Sequence, residues 1–226
     1  TIKNYKKYDD KATVNINGSE IIVRPLTENS MRIQFAEKVE TTLPELVFSQ
    51  KVETPEFEID ESETSLEISI SKIKVVVDKK TSTLSYYNED GKLILTEKPG
   101  SRIVKASTVQ GESCSFIEQS FISPKDEFIY GTGQFQDGYL NIKGLPRRLT
   151  QVNTQISVPF IISNKGYGLF WHNYSQTEFN PADNKVELKA TSVDGEERTL
   201  DVTTSEGTKK ETRSDGVFTG SFEIDE

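Results

Sequence analysis

The sequence predicts an all-β protein, an antiparallel β-sandwich with few or no helices. Three observations carry this expectation. Apolar and polar residues alternate with period two through most of the chain, as in strands with one wet face. Asn-Gly and Asp-Gly pairs punctuate the alternating runs, the strongest short-range hairpin signals. No segment repeats apolar residues at helical spacing. The nearest, residues 49–59, offers Val52, Phe57 and Ile59 and is interrupted by Pro55, so it reads as loop or edge strand.

Taken in order, residues 12–16 and 20–26 flank Asn17-Gly18 and form a hairpin. Met31, Ile33 and Phe35 alternate with Arg32 and Gln34 in a half-buried strand. Leu66, Ile68 and Ile70 alternate in one phase, and Ile73, Val75 and Val77 in the other. The slip at Ser71-Lys72 predicts a bulge or bend, because one extra residue flips every later side chain. Residues 84–87 and 93–95 flank Asn88-Glu89-Asp90-Gly91 as a second hairpin. Further strands are expected at 102–109, 115–122, 127–130, 158–163 and 167–171, the last two joined through Asn164-Lys165-Gly166. Residues 134–150 contain Gly138, Gly144 and Pro146 and little alternation. They read as a long loop, the kind of segment in which function concentrates.

The tail differs in character. Residues 183–226 hold 12 acidic and 6 basic residues, with short strands at 186–190 and 198–203 among Asp194-Gly195, Glu206-Gly207 and Asp215-Gly216 turns. Residues 208–214 are polar and read as a linker, and an alternating strand begins at Val217 just before the chain stops. The expected organisation is therefore a sandwich over 1–205. Residues 206–226 would be a linker and the first strand of a following, inserted β-module, so that the chain is a fragment.

Composition excludes several functions. Apolar residues make up 34%, and the 14 glycines lift this to about 40%, so the core is thin. No apolar run is long enough for a membrane-spanning helix. A net charge of -9 argues against nucleic-acid partners, since phosphate neutralisation needs clustered Lys and Arg. One cysteine, Cys114, excludes an intrachain disulfide and a multi-cysteine metal site. One histidine, His172, removes paired-histidine chemistry. No metal and no cofactor are expected. Thr1 looks like a trimmed start, and a surface rich in Thr, Ser and acid fits an exported bacterial enzyme, periplasmic or extracellular.

Residues 127–173 are the informative stretch. They run Glu-Phe-Ile-Tyr-Gly-Thr-Gly-Gln (127–134), then Gly-Tyr-Leu-Asn-Ile-Lys-Gly (138–144). Next comes Gln-Val-Asn-Thr-Gln-Ile-Ser-Val-Pro-Phe (151–160), and last Ser-Asn-Lys-Gly-Tyr-Gly-Leu-Phe-Trp-His-Asn (163–173). Gly131 and Gly133 allow positive φ or close backbone approach where a strand breaks into a loop. Pro159 predicts an edge strand or a strand's first residue. The four motifs in this order resemble the N-terminal domain of glycoside hydrolase family 31, the α-glucosidases and α-xylosidases. The 66–95 stretch is similar to that domain's earlier strand-hairpin region, and the resemblance covers most of residues 12–180.

The resemblance implies a galactose-mutarotase-like supersandwich that packs beside a catalytic (β/α)8 barrel. In such enzymes the barrel carries a retaining pair of carboxylates, so no catalytic residue is expected here. The sandwich's contribution is a loop that helps form the sugar subsite. Its polar tip corresponds to residues 151–154, which makes Gln151 and Asn153 the expected substrate-binding residues in the full enzyme. Many α-glucosidases place Asp where Asn153 stands. An amide both donates to and accepts from sugar hydroxyls, whereas a carboxylate only accepts. The Gln-x-Asn-Thr form is closer to the α-xylosidase branch. The implied partners are an α-linked oligosaccharide or xyloglucan-type substrate, reached through the parent enzyme, and the intramolecular barrel.

Other residues read as structural. Trp171 follows Leu169-Phe170 and reads as core rather than as a sugar-stacking platform. His172 reads as exposed or loop-bound, Cys114 as a small buried residue, and Arg147-Arg148 as solvated or facing the barrel. Asp126-Glu127 and Glu196-Glu197 are adjacent in strand-like sequence, so their carboxylates point apart and form no acid/base pair. Two other functions remain open. A stand-alone carbohydrate-binding module shares the fold class but has a single Trp. A sugar epimerase shares the architecture but normally works with His and Glu.

Overall fold

The computed structural model describes residues 2–36, 46–48, 53–180, 197–204 and 207–214. Among these residues there is no helix, and none long and apolar enough to cross a membrane. β1 (Ile2–Lys7), β2 (Ala12–Ile16), β3 (Ser19–Thr27) and β4 (Ser30–Ala36) form a four-stranded antiparallel meander. β5 (Glu58–Glu61), β6 (Ser65–Ser69), β7 (Ile73–Asp78), β8 (Leu84–Asn88) and β9 (Leu93–Thr96) form a five-stranded one. Their inward faces build one core, with Ala12, Val14, Ile21 and Val23 from the first sheet and Leu66, Ile68, Val75, Val77 and Leu84 from the second. This is the expected sandwich. β5 lies at the edge of its sheet, as residues 53–59 suggested; residues 49–52 of that stretch lie outside the described residues.

The phase slip at Ser71-Lys72 is a hairpin turn, not a bulge. Leu66 pairs with Val77 and Ile68 with Val75, and Ile70 N–H donates to Ile73 O at 3.0 Å. A two-residue loop puts its flanking residues on one face, so the apolar phase shifts by one without any extra residue in a ladder. Asn17 and Gly18 are both at positive φ, 52° and 94°, as a tight hairpin between β2 and β3 requires.

β10 (Ile103–Val109) and β11 (Glu112–Glu118) form a ribbon exposed on both sides. Cys114 sits in it and is exposed rather than buried, because alternation implies burial only where a face is covered. The strand expected over 115–122 ends at Glu118, and Phe121 makes only an isolated bridge with Glu97.

β12 (Ile129–Gln134), β13 (Arg147–Leu149), β14 (Ile156–Ser163), β15 (Tyr167–Phe170) and β16 (Thr177–Phe179) carry the motifs. β12, β14 and β15 form a three-stranded sheet with β14 in the centre, and β13 pairs with β16. Ile129, Ile142 and Ile161 form a small second core with Leu145, Leu169 and Phe179 around it. β12 starts two residues later than expected and β14 two residues earlier. The long loop contains β13. The linker expected over 208–214 is a strand, β18 (Gly207–Ser214), paired antiparallel with β17 (Glu197–Thr204). Polar alternation without apolar residues hid it. The strand expected at 186–190, the Asp194-Gly195 and Asp215-Gly216 turns and the strand from Val217 lie outside the described residues.

Pro159 stands in the central strand, not at an edge. It is tolerated because the β12–β14 ladder is interrupted there: Gly131 pairs with Ile161, and Gly133 already pairs with Ser157. The other side of the interruption needs glycine. A Cβ on Gly131 would lie 2.4 Å from Phe160 O, and one on Gly133 2.2 Å from Ile156 O, and both residues are at positive φ. Gly131→Ala or Gly133→Ala is therefore expected to cost about 2–3 kcal/mol. Gly18→Ala, at positive φ but in open space, should cost about 1 kcal/mol. Urea unfolding midpoints of the three variants check the order, and equal losses would contradict it.

Candidate functional site

The site is built on the end of the three-stranded sheet. Gln134, the last residue of β12, pairs with Ile156, the first of β14. Immediately before Ile156 the chain makes a tight hairpin. Val152 and Gln155 exchange backbone hydrogen bonds of 3.3 Å, which leaves Asn153 and Thr154 at the tip. Two glutamines staple its base. Gln155 Nε2 donates to Thr150 O at 2.8 Å, and Gln151 Oε1 accepts from Ser157 N–H at 3.1 Å.

The two expected substrate-binding residues therefore share one exposed hairpin, and their side chains have different duties. Gln151 spends its carbonyl oxygen on the hairpin's own base. Asn153 is exposed at the tip, and its amide makes no hydrogen bond among the described residues. Such an amide offers two donors and an acceptor to a ligand.

The sequence motifs recur together because they touch. Glu127, at 2% exposure, accepts hydrogen bonds from Ser123 Oγ at 2.5 Å, Ser163 Oγ at 2.5 Å and Tyr167 OH at 2.7 Å. Burial pushes its carboxyl up, but the three hydroxyl donors outweigh that and hold it below the ordinary value of 4.5. Asn164 Oδ1 accepts from Phe128 N–H at 2.8 Å, and its Nδ2 donates to Asp126 O at 3.1 Å. Asp126 points out and pairs with Lys165. The two neighbouring carboxylates diverge as expected, although they lie in the turn before β12 and not in a strand. Glu197 lies in β17, and Glu196 lies outside the described residues.

Arg147 is not solvated. It is 8% exposed, with its guanidinium 4.4 Å from the Phe135 ring centre and ion-paired to Asp137. Strand β13 turns it inward while its neighbour Arg148 points out to Glu178 at 2.8 Å. Nothing local in the sequence distinguishes the two arginines. Glu127 had a weak signal, an acid at the start of a strand motif followed later by a Ser and a Tyr in a second motif.

One face of the sheet is apolar and uncovered. Ile156, Val158, Phe160 and Ile162, every second residue of β14, are all exposed. Phe160 lies against Gly168 of β15, where a Cβ would come within 2.9 Å of the ring. Trp171 is half-buried rather than core, and its N–H donates to Pro159 O at 2.8 Å. His172 is exposed, stacked on Phe170 and hydrogen-bonded to Tyr174 and Arg32. No group of three His, Cys, Asp or Glu among the described residues is placed to hold a metal ion.

Comparison with known proteins bears on the family and the fold. A family model described as the glycosyl hydrolase 31 N-terminal galactose mutarotase-like domain matches residues 20–180. An uncharacterized family 31 glucosidase of Pseudescherichia vulneris is 30% identical over 176 residues, which are 67% of this chain and 32% of that protein. An α-xylosidase of Saccharolobus solfataricus is 33% identical over 130 residues, 54% of this chain and 18% of that protein. The crystal structure of a family 31 α-xylosidase from Xanthomonas citri superposes with a TM-score of 0.70 at 28% identity, over 76% of this chain and 19% of that one. The chain thus spans about a third or less of the length of the curated relatives it matches.

Proposed function

Because the chain belongs to glycosyl hydrolase family 31, as its N-terminal galactose mutarotase-like domain, we propose a non-catalytic role within a retaining α-glycosidase. The domain packs on a catalytic (β/α)8 barrel through the outward face of β14. It lends the 152–155 hairpin to that barrel's sugar subsite. The substrate is an α-linked xylosyl or glucosyl oligosaccharide of xyloglucan type. The likeness to an α-xylosidase in sequence and to another in structure supports the xylosyl choice.

The observation that carries this reading is the pairing of two features on one strand. Four consecutive outward positions of β14 are exposed and apolar, and the same strand begins at a hairpin tipped by an unengaged amide. A sheet face of that kind marks an interaction surface. The hairpin at its end stands where a partner's edge would meet it. Gln151 supports the tip and presents its Nε2 donors, and Asn153 hydrogen-bonds the sugar. Trp171, half-buried, makes a poor platform for a stand-alone binding module.

Asn153→Ala in the enzyme that carries this domain should lower kcat/KM for an aryl α-xyloside about tenfold, the worth of one hydrogen bond to substrate. The unfolding midpoint should stay unchanged, because the exposed side chain makes no hydrogen bond among the described residues. Steady-state kinetics on both proteins decide it, and an unaltered kcat/KM would remove the hairpin from the subsite.

A further inference from the structure

Arg147 is a buried cation that neither the core nor the expected site residues account for. Its Nη1 donates to Thr132 Oγ1 at 2.8 Å and to Gly131 O at 3.3 Å. Its Nη2 pairs with Asp137, its plane lies over Phe135, and its Nε is buried without a hydrogen-bond partner. The contacts divide among the parts that hold the hairpin. Arg147 stands in β13, the outgoing leg, which runs through Leu149 and Thr150 into Gln151. Gly131 and Thr132 belong to the interrupted stretch of β12 that backs the return leg, β14, between Ser157 and Ile161. Phe135 and Asp137 belong to the chain leaving β12 just after Gln134, the residue paired with Ile156. One guanidinium therefore ties β13, which leads into the hairpin, to β12, which pairs with the strand leaving it, and to the chain that follows β12.

We propose that Arg147 is a positioning residue for the sugar subsite, setting where the 152–155 hairpin and its Asn153 amide stand. This rests on the function proposed above. The fork geometry matters: a planar guanidinium holds two directions at once, while a lysine ammonium is a point charge on a flexible stem. Displacement of a binding group by about 1 Å is enough to cost up to about a hundredfold in rate. Arg148, exposed and paired among the described residues with Glu178 alone, has no such reach and serves as the comparison.

The test uses the enzyme that carries this domain, with an aryl α-xyloside as substrate. Arg147→Lys, Asp137→Asn, Arg148→Met and Asn153→Ala are compared by unfolding midpoint, KM and kcat, and Arg147→Lys is also combined with Asn153→Ala. Arg147→Lys should fold and lose about tenfold in kcat/KM, split between KM and kcat as in Asn153→Ala. In the Asn153→Ala background it should lose less than about twofold further, because coupled residues are not additive. Arg148→Met should leave the kinetics unchanged. If Arg147→Lys fails to fold, Asp137→Asn, at the half-exposed end of the ion pair, carries the same expectation. Should Asn153→Ala lower kcat/KM while a folded Arg147→Lys or Asp137→Asn does not, the positioning role is overturned. Full additivity of the two changes overturns it as well. Should Asn153→Ala itself change nothing, the subsite reading fails first.

Discussion

Glu127→Ala should lower the unfolding midpoint of this chain by roughly 10 °C, the largest stability effect expected of any single polar substitution here. The carboxylate is buried and takes hydrogen bonds from three hydroxyls, on Ser123, Ser163 and Tyr167. Removing it strands the buried Ser163 hydroxyl, takes a partner from half-buried Tyr167 and exposed Ser123, and opens a cavity beside them. A buried donor left unpaired costs about 1–3 kcal/mol, and with the two more exposed hydrogen bonds lost as well the total is about 3 kcal/mol. The same network gives a pH signature. Glu127 titrates lower in the folded state than its ordinary 4.5. Its contribution is therefore complete above that value and is lost as pH falls through the folded value. Glu127→Gln should thus be less stable than the natural chain by a constant margin near neutrality. The margin should shrink as pH drops below 4.5 and through the lower folded value. Thermal unfolding of both proteins across that range measures it. A margin that stays constant into acid would show that the carboxylate's charge is not what the hydroxyls hold.

Much of the fold was readable because the first two sheets obey simple rules. Leu66, Ile68, Val75 and Val77 alternate cleanly, and Asn17-Gly18 makes the turn that its residues favour. The errors fall where a local pattern depends on a distant partner. The slip at Ser71-Lys72 reads as a bulge or a bend; the bend is right, and only the pairing of Leu66 with Val77 rules out the bulge. Pro159 looked like an edge residue because nothing local reveals that the facing strand carries Gly131 and Gly133 at positive φ. Cys114 looked buried because alternation does not say whether a ribbon has a sheet over it. The hairpin with Gln151 and Asn153 was found through motif order, since a polar tip has no periodicity of its own. Arg147 could not be found, because its inward direction comes from the pairing of β13 with β16.

Whether the outward face of β14 is an interface is the question on which the function turns. Val158 and Ile162 are 41% and 50% exposed in this chain. Replacing both with Asp should therefore cost the isolated chain about 1–2 kcal/mol at most, mainly through strand propensity. In the enzyme that carries the domain, the same two side chains would lie against the barrel. Two carboxylates buried there without partners would each cost several kcal/mol. The direct measurement is kcat/KM of that enzyme on an aryl α-xyloside, with and without the Val158→Asp and Ile162→Asp changes, beside the unfolding midpoint of the 226-residue chain carrying them. A loss of about a hundredfold or more in the enzyme, with the isolated chain still folded, is the expected result. Full activity with both aspartates in place would contradict the docking face and, with it, the proposed role of the domain.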